Sequence, residues 1–76
     1  MTDRLPSQTA RQVVRALERA GFRVSRTTGS HCRLIHSGDP SRKVTVPMHV
    51  GDLPRGTLRA IIAQADMTVA ELLKLL

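Results

Sequence analysis

The chain has 76 residues, room for one domain over 1–76, and at that length only about 60–65% of the unfolded surface is buried on folding. Hydrophobic residues at 41% support a packed core, while one Phe and no Tyr or Trp argue against a platform of exposed rings on which bases stack. Twelve Lys and Arg against six Asp and Glu leave a formal charge of +6; ten of the twelve are Arg, whose planar fork suits phosphate.

Such a charge expects a polyanion, either nucleic acid or an acidic protein. A membrane surface is disfavoured, because no stretch joins a basic helix face to an aromatic anchor. Cys32 stands alone, so no internal disulfide forms; a single thiol fits a reducing cytosol and excludes a zinc finger of ordinary spacing. No apolar run approaches the ~20 residues of a membrane span, and Met1 to Gln8 carry no signal-peptide core. The chain reads as soluble, intracellular and complete.

Residues 1–8 read as a lead-in, with Pro6 stopping any earlier helix. Thr9 and Gln12 have capping-box spacing, and Ala10, Val13, Val14, Leu17 and Ala20 then form one apolar stripe, predicting a helix over about 10–20. Gly21 ends it in a left-handed conformation. From Phe22 the period becomes two, predicting a strand over about 22–27 that turns through Thr28-Gly29. His31 to His36 form a second strand, with Cys32 and Leu34 on one face and His31, Arg33 and Ile35 on the other. Ser37-Gly38-Asp39-Pro40 is a turn by composition. Lys43 to Val46 make a third strand with Val44 and Val46 inward, closed by Pro47. Leu58, Ile61, Ile62 and Ala65 mark a second helix. Thr68 and Glu71 repeat the capping box before a short third helix whose stripe is Val69, Leu72, Leu73 and Leu76.

The order α-β-β-β-α-α predicts an α+β two-layer sandwich: a three-stranded antiparallel sheet with helices on one face, since no element remains to cover the other. The open face then carries Arg23, Ser25, His31, Arg33, Ile35, Lys43 and Thr45.

His31 follows a turn at Gly29-Ser30. A histidine opening a solvent-facing strand is ordinary surface in most proteins, and both turn residues have purely conformational uses. Arg23, Arg33 and Lys43 on the same face favour chemistry instead. Positive neighbours disfavour a second positive charge, and a neutral imidazole can take a proton from a ribose 2′-hydroxyl while adjacent cations stabilise the phosphorane. His36 falls inward, at the core edge. His49 is either bare surface or a second proton donor folded back toward the second strand. Three histidines without a suitably spaced carboxylate argue against zinc, and no cofactor is implied. Cys32 reads as a small core side chain. Arg55-Gly56-Thr57-Leu58-Arg59 is either a phosphate site at a helix N-terminus, with Arg55, Thr57 and Arg59 as contacts, or a loop with Thr57 as N-cap. Arg11, Arg15 and Arg19 form a solvated face, a strip that tracks a nucleic-acid backbone, or a surface for an acidic partner.

In order and spacing the chain resembles the HicA family of bacterial toxins, also grouped as YcfA-like proteins, from Thr9 to Leu76. The landmarks are Leu17-Glu18-Arg19-Ala20-Gly21-Phe22, Gly29-Ser30-His31, Val44-Thr45-Val46-Pro47 with His49, Gly56-Thr57-Leu58-Arg59-Ala60-Ile61-Ile62, and Glu71-Leu72-Leu73. The resemblance implies a fold like that of double-stranded-RNA-binding domains, ribosome-independent mRNA cleavage in the bacterial cytoplasm, and a HicB-type antitoxin that covers the histidine and basic surface. The family's catalytic histidine maps onto His31. The sequence expectation is therefore a metal-independent endoribonuclease. Its rivals are a non-catalytic RNA-binding module and an interaction protein whose basic face meets an acidic partner.

Overall fold

The computed structural model describes residues 5–76. Thr9 has extended backbone, and its hydroxyl accepts from the Gln12 amide at 3.2 Å while Gln12 Oε1 accepts from the Thr9 amide at 2.9 Å. This reciprocal cap starts α1 (Ala10–Arg19) and satisfies two amides that a helix start leaves without partners. Gly21, at φ 101°, turns the chain out of the helix into β1 (Phe22–Thr28). The antiparallel sheet continues through β2 (His31–His36) to β3 (Lys43–Pro47), in the order β1-β2-β3. Two helices follow, α2 (Arg55–Gln64) and α3 (Val69–Leu75). None of the described helices is long and apolar enough to cross a membrane.

All three helices lie on one face of the sheet. Phe22, Cys32, Leu34, Val44 and Val46 point inward and are buried with Val13, Ala16 and Leu17 of α1, Leu58, Ile61 and Ile62 of α2, and Leu72 of α3. A side chain such as Leu34, with no accessible surface left, contributes about 1.5–3 kcal/mol of transfer free energy. Among the described residues no element covers the other face of the sheet, where Arg23, His31, Arg33 and Lys43 are exposed.

Arginines close the packing by reaching distant carbonyls. Arg42 donates through Nε and Nη2 to the Ala65 carbonyl at the end of α2, at 3.0 and 2.6 Å, and its guanidinium lies 5.3 Å from the Phe22 ring centre. Arg19 Nη1 donates to the Leu75 carbonyl at 2.6 Å, and Arg55 Nη1 to the Leu5 carbonyl at 2.6 Å. Cations at helix C-termini also complement the macrodipole.

Several expectations change. Leu5, read as lead-in, is a core residue whose carbonyl accepts from Arg55, and the segment after it is tied down by the Leu53 amide donating to the Gln8 carbonyl and by a Thr9–Asp52 bridge. β1 extends through Thr28, so the turn is Gly29-Ser30; Pro47 lies inside β3, paired with His31. The N-cap of α2 is Pro54 with no side-chain bond, and Thr57 sits two residues inside the helix rather than capping it. In α3, Leu72 is buried and Val69 and Leu75 pack on the core, while Leu73 and Leu76 are 36% and 40% exposed. The packed stripe therefore follows the three-residue spacing 69-72-75. The largest departure is a bulge in β1. Val24 opposes Leu34, yet Arg26 opposes Arg33, leaving Ser25 as the extra residue.

Candidate nucleic-acid interface

Cross-strand partners in an antiparallel sheet share a face, so the register builds the open surface in three rows. Thr28 opposes His31, which opposes Pro47; Arg26 opposes Arg33, which opposes Thr45; Arg23 opposes Ile35, which opposes Lys43. The first two rows enclose a shallow hollow of about 350 Å³ lined by Arg26, Thr28, His31, Arg33 and Thr45.

His31 opens β2 directly after the turn. Gly29, the first of the two turn residues, has φ 53°, a positive value that glycine adopts without steric cost. The Ser30 carbonyl accepts from the Met48 amide at 2.5 Å, tying the turn to the chain leaving β3. The imidazole is therefore carried on a short, doubly anchored hairpin and is exposed.

The three strands that carry it hold charge of one sign only. No Asp or Glu stands between Glu18 and Asp39, or between Asp39 and Asp52, so none of the three strands holds a carboxylate. Asp39 is engaged in its own turn: its Oδ1 accepts from the Ser41 hydroxyl at 2.6 Å and the Ser41 amide at 3.2 Å. Those bonds, the hydroxyl's first, hold its carboxyl below the usual range.

The other histidines lie elsewhere. His36, half-buried, packs edge-on against Phe22 with ring centres 5.0 Å apart. Its Nδ1 accepts from the Gly38 amide at 3.0 Å, which assigns the proton to Nε2, 3.1 Å from the Ala20 carbonyl. It has the core-edge position expected of it. His49 is exposed and lines a separate hollow with Met48, Val50 and Gly51 and the start of α1, not the one beside His31. Cys32 is buried on the inner face. Among the described residues no three His, Cys, Asp or Glu side chains cluster as metal ligands.

Of the cations expected beside His31, only Arg33 lines its hollow. Arg23 and Lys43 share the open face but sit two rows further on, about 13 Å along the strands from His31. Arg55, Thr57 and Arg59 belong to the helical layer, where Arg55 holds the Leu5 carbonyl; none of the three lines the hollow. Arg26 and Thr28 were not in the sequence reading of this face. Simple alternation from Phe22 turns both inward, and the bulge reverses them. Ser25-Arg26-Thr27-Thr28 holds no apolar residue to mark the inner face, so the hydrophobic pattern is silent on register there.

A family model described as the HicA toxin of bacterial toxin-antitoxin matches residues 10–67. The match runs from the first residue of α1 to just beyond α2, and so takes in the whole sheet and the turn before His31. No curated protein matches the chain significantly.

Proposed function

The chain belongs to the HicA family of toxins from bacterial toxin–antitoxin systems, and on that premise we propose that it is a ribosome-independent mRNA interferase with His31 as its essential side chain. Membership makes it the toxin of a pair whose other member is an antitoxin. The single observation that carries the finer reading is the exposed imidazole in a hollow lined by two arginines and no carboxylate.

A ring nitrogen of His31 accepts the proton of a ribose 2′-hydroxyl. The 2′-oxygen then attacks the adjacent phosphorus, and the bond from phosphorus to the 5′-oxygen breaks. The departing 5′-oxygen takes a proton from the imidazolium, leaving a 2′,3′-cyclic phosphate and a free 5′-hydroxyl. No metal or cofactor enters this sequence. Proton transfer by a positioned side chain is worth about 10²–10⁴-fold. Arg33 stabilises the added charge on the phosphorane. Arg23 and Lys43, two rows away, hold flanking phosphates of the same strand rather than the one being cut. Gly29 and Ser30 aim the imidazole. A HicB-type antitoxin silences the toxin by seating acidic side chains on this face in the cytoplasm, where the mRNA substrate is found.

The test is incubation of labelled mRNA with purified protein in EDTA. Wild type should cut, and His31→Ala should bind RNA and retain its thermal midpoint but lose cleavage by at least two orders of magnitude. Full activity in His31→Ala would move the role to His49 or elsewhere. RNA retarded but left whole by wild type would make the chain a binding module.

A further inference from the structure

The bulge at Ser25 sets two arginines face to face. Arg26 and Arg33 are direct cross-strand partners on the open surface, and both line the hollow with the hydroxyl-bearing Thr28 and Thr45. Side chains so paired have Cβ atoms about 4.5–5.5 Å apart, and like charges there repel. A carboxylate between them would relieve the repulsion, but the three strands contain none. An anion between the guanidinium groups would relieve the repulsion and gain bonds from both. His31 occupies the adjoining row, two residues along β2 from Arg33.

From this geometry we infer that Arg26 and Arg33 form one clamp for a single phosphate group, the phosphodiester whose neighbouring 2′-hydroxyl lies beside His31. Two guanidinium forks supply donors to both non-bridging oxygens, and the Thr28 and Thr45 hydroxyls line the same hollow. The clamp rests on the cleavage reading only for the identity of its ligand as the scissile phosphate; the anion site itself stands on the register. Ser25 matters as the inserted residue that turns Arg26 outward, not as a contact.

Two probes test it without requiring cleavage: inorganic phosphate, and a short 2′-O-methyl oligoribonucleotide, which lacks the attacking hydroxyl. Phosphate should raise the thermal midpoint of wild type and of His31→Ala, and that rise should vanish in Arg26→Ala and Arg33→Ala. The midpoints without phosphate should not fall in the arginine variants, which shows that they fold. Each single variant should bind the oligonucleotide about tenfold more weakly or worse, as expected for a lost charge-assisted bond. Because both arginines hold one phosphate, the double variant should lose less than the product of the two single losses. The log–log salt slope should fall by about 0.7 in the double variant, the contribution of one phosphate. Arg23→Ala, paired with either, should give the full product. Full multiplicativity of Arg26 with Arg33 and twice that fall in slope would mean two separate phosphates and overturn the clamp; unchanged binding in Arg26→Ala would overturn it outright. The two proposals fail separately. Coupled losses in a wild type that cuts no RNA remove the nuclease and leave the clamp, whereas His31-dependent cleavage untouched by Arg26→Ala removes the clamp alone.

Discussion

Replacing Gly21 with alanine strikes the joint between α1 and β1 in two ways. At φ 101° the backbone lies outside even the left-handed region open to L-residues, and an added Cβ would sit 2.9 Å from His36 Nε2. The first effect costs at least the 1–2 kcal/mol (roughly) of a left-handed L-residue. The second displaces a ring that bonds the Ala20 carbonyl and stacks edge-on against Phe22, interactions worth about 1 kcal/mol each. The total is about 3 kcal/mol, a large share of the roughly 4–11 kcal/mol expected for a chain of this length. For a domain this small the thermal midpoint should drop by roughly 12–24 °C. Gly29→Ala is the internal control: its φ of 53° is ordinary left-handed backbone and no atom lies within 4 Å of the added Cβ, so it should cost only about 1–2 kcal/mol. Circular-dichroism melts of both variants, and of Gly21→Ala with His36→Ala, measure the difference. If the two glycine variants fall equally, or if removing His36 is fully additive with Gly21→Ala, the crowding argument is refuted.

Further outcomes follow from other joints in the fold. Arg42→Lys should destabilise by about 1.5–3 kcal/mol in urea titration, because an ammonium cannot reproduce the two N–H bonds to the Ala65 carbonyl together with the guanidinium contact over Phe22. Leu34→Ala should cost about 2–5 kcal/mol in the same assay, since the residue is wholly buried in the central strand. The amide of Thr68, and then its hydroxyl, hold the Glu71 carboxyl below the ordinary value of 4.5. A carboxyl lowered in the folded state stabilises above its unfolded pKa and loses that contribution as pH falls through the folded one. Wild type should therefore exceed Glu71→Gln in stability at neutral pH, and the gap should close on acidification below 4.5; a gap constant with pH would contradict the assignment. Thr68→Ala should cost about 1 kcal/mol through the same cap.

Features carried by neighbouring residues were legible without coordinates. Both capping boxes, Thr9 with Gln12 and Thr68 with Glu71, and the positive φ of Gly21 are decided within one helical turn. The apolar alternation of β2 and β3 fixed their inner faces and put His31 and Arg33 on the open side, because Cys32, Leu34, Val44 and Val46 can be buried only one way round. The counting of elements then left one face of the sheet uncovered. Where apolar markers ended, so did legibility: β1 beyond Val24 is entirely polar, and its bulge arises from pairing with β2 rather than from any local preference. Arg26 thus reaches the His31 hollow through a register that only the assembled sheet sets. The same holds for the rotation of α3, which packs Leu75 and exposes Leu73. It holds too for Arg19, Arg42 and Arg55, charged residues spent on carbonyls 56, 23 and 50 positions away. Periodicity and caps act over a few residues and are written in order along the chain; register, helix rotation and the choice of which cations remain free depend on partners brought together only by packing.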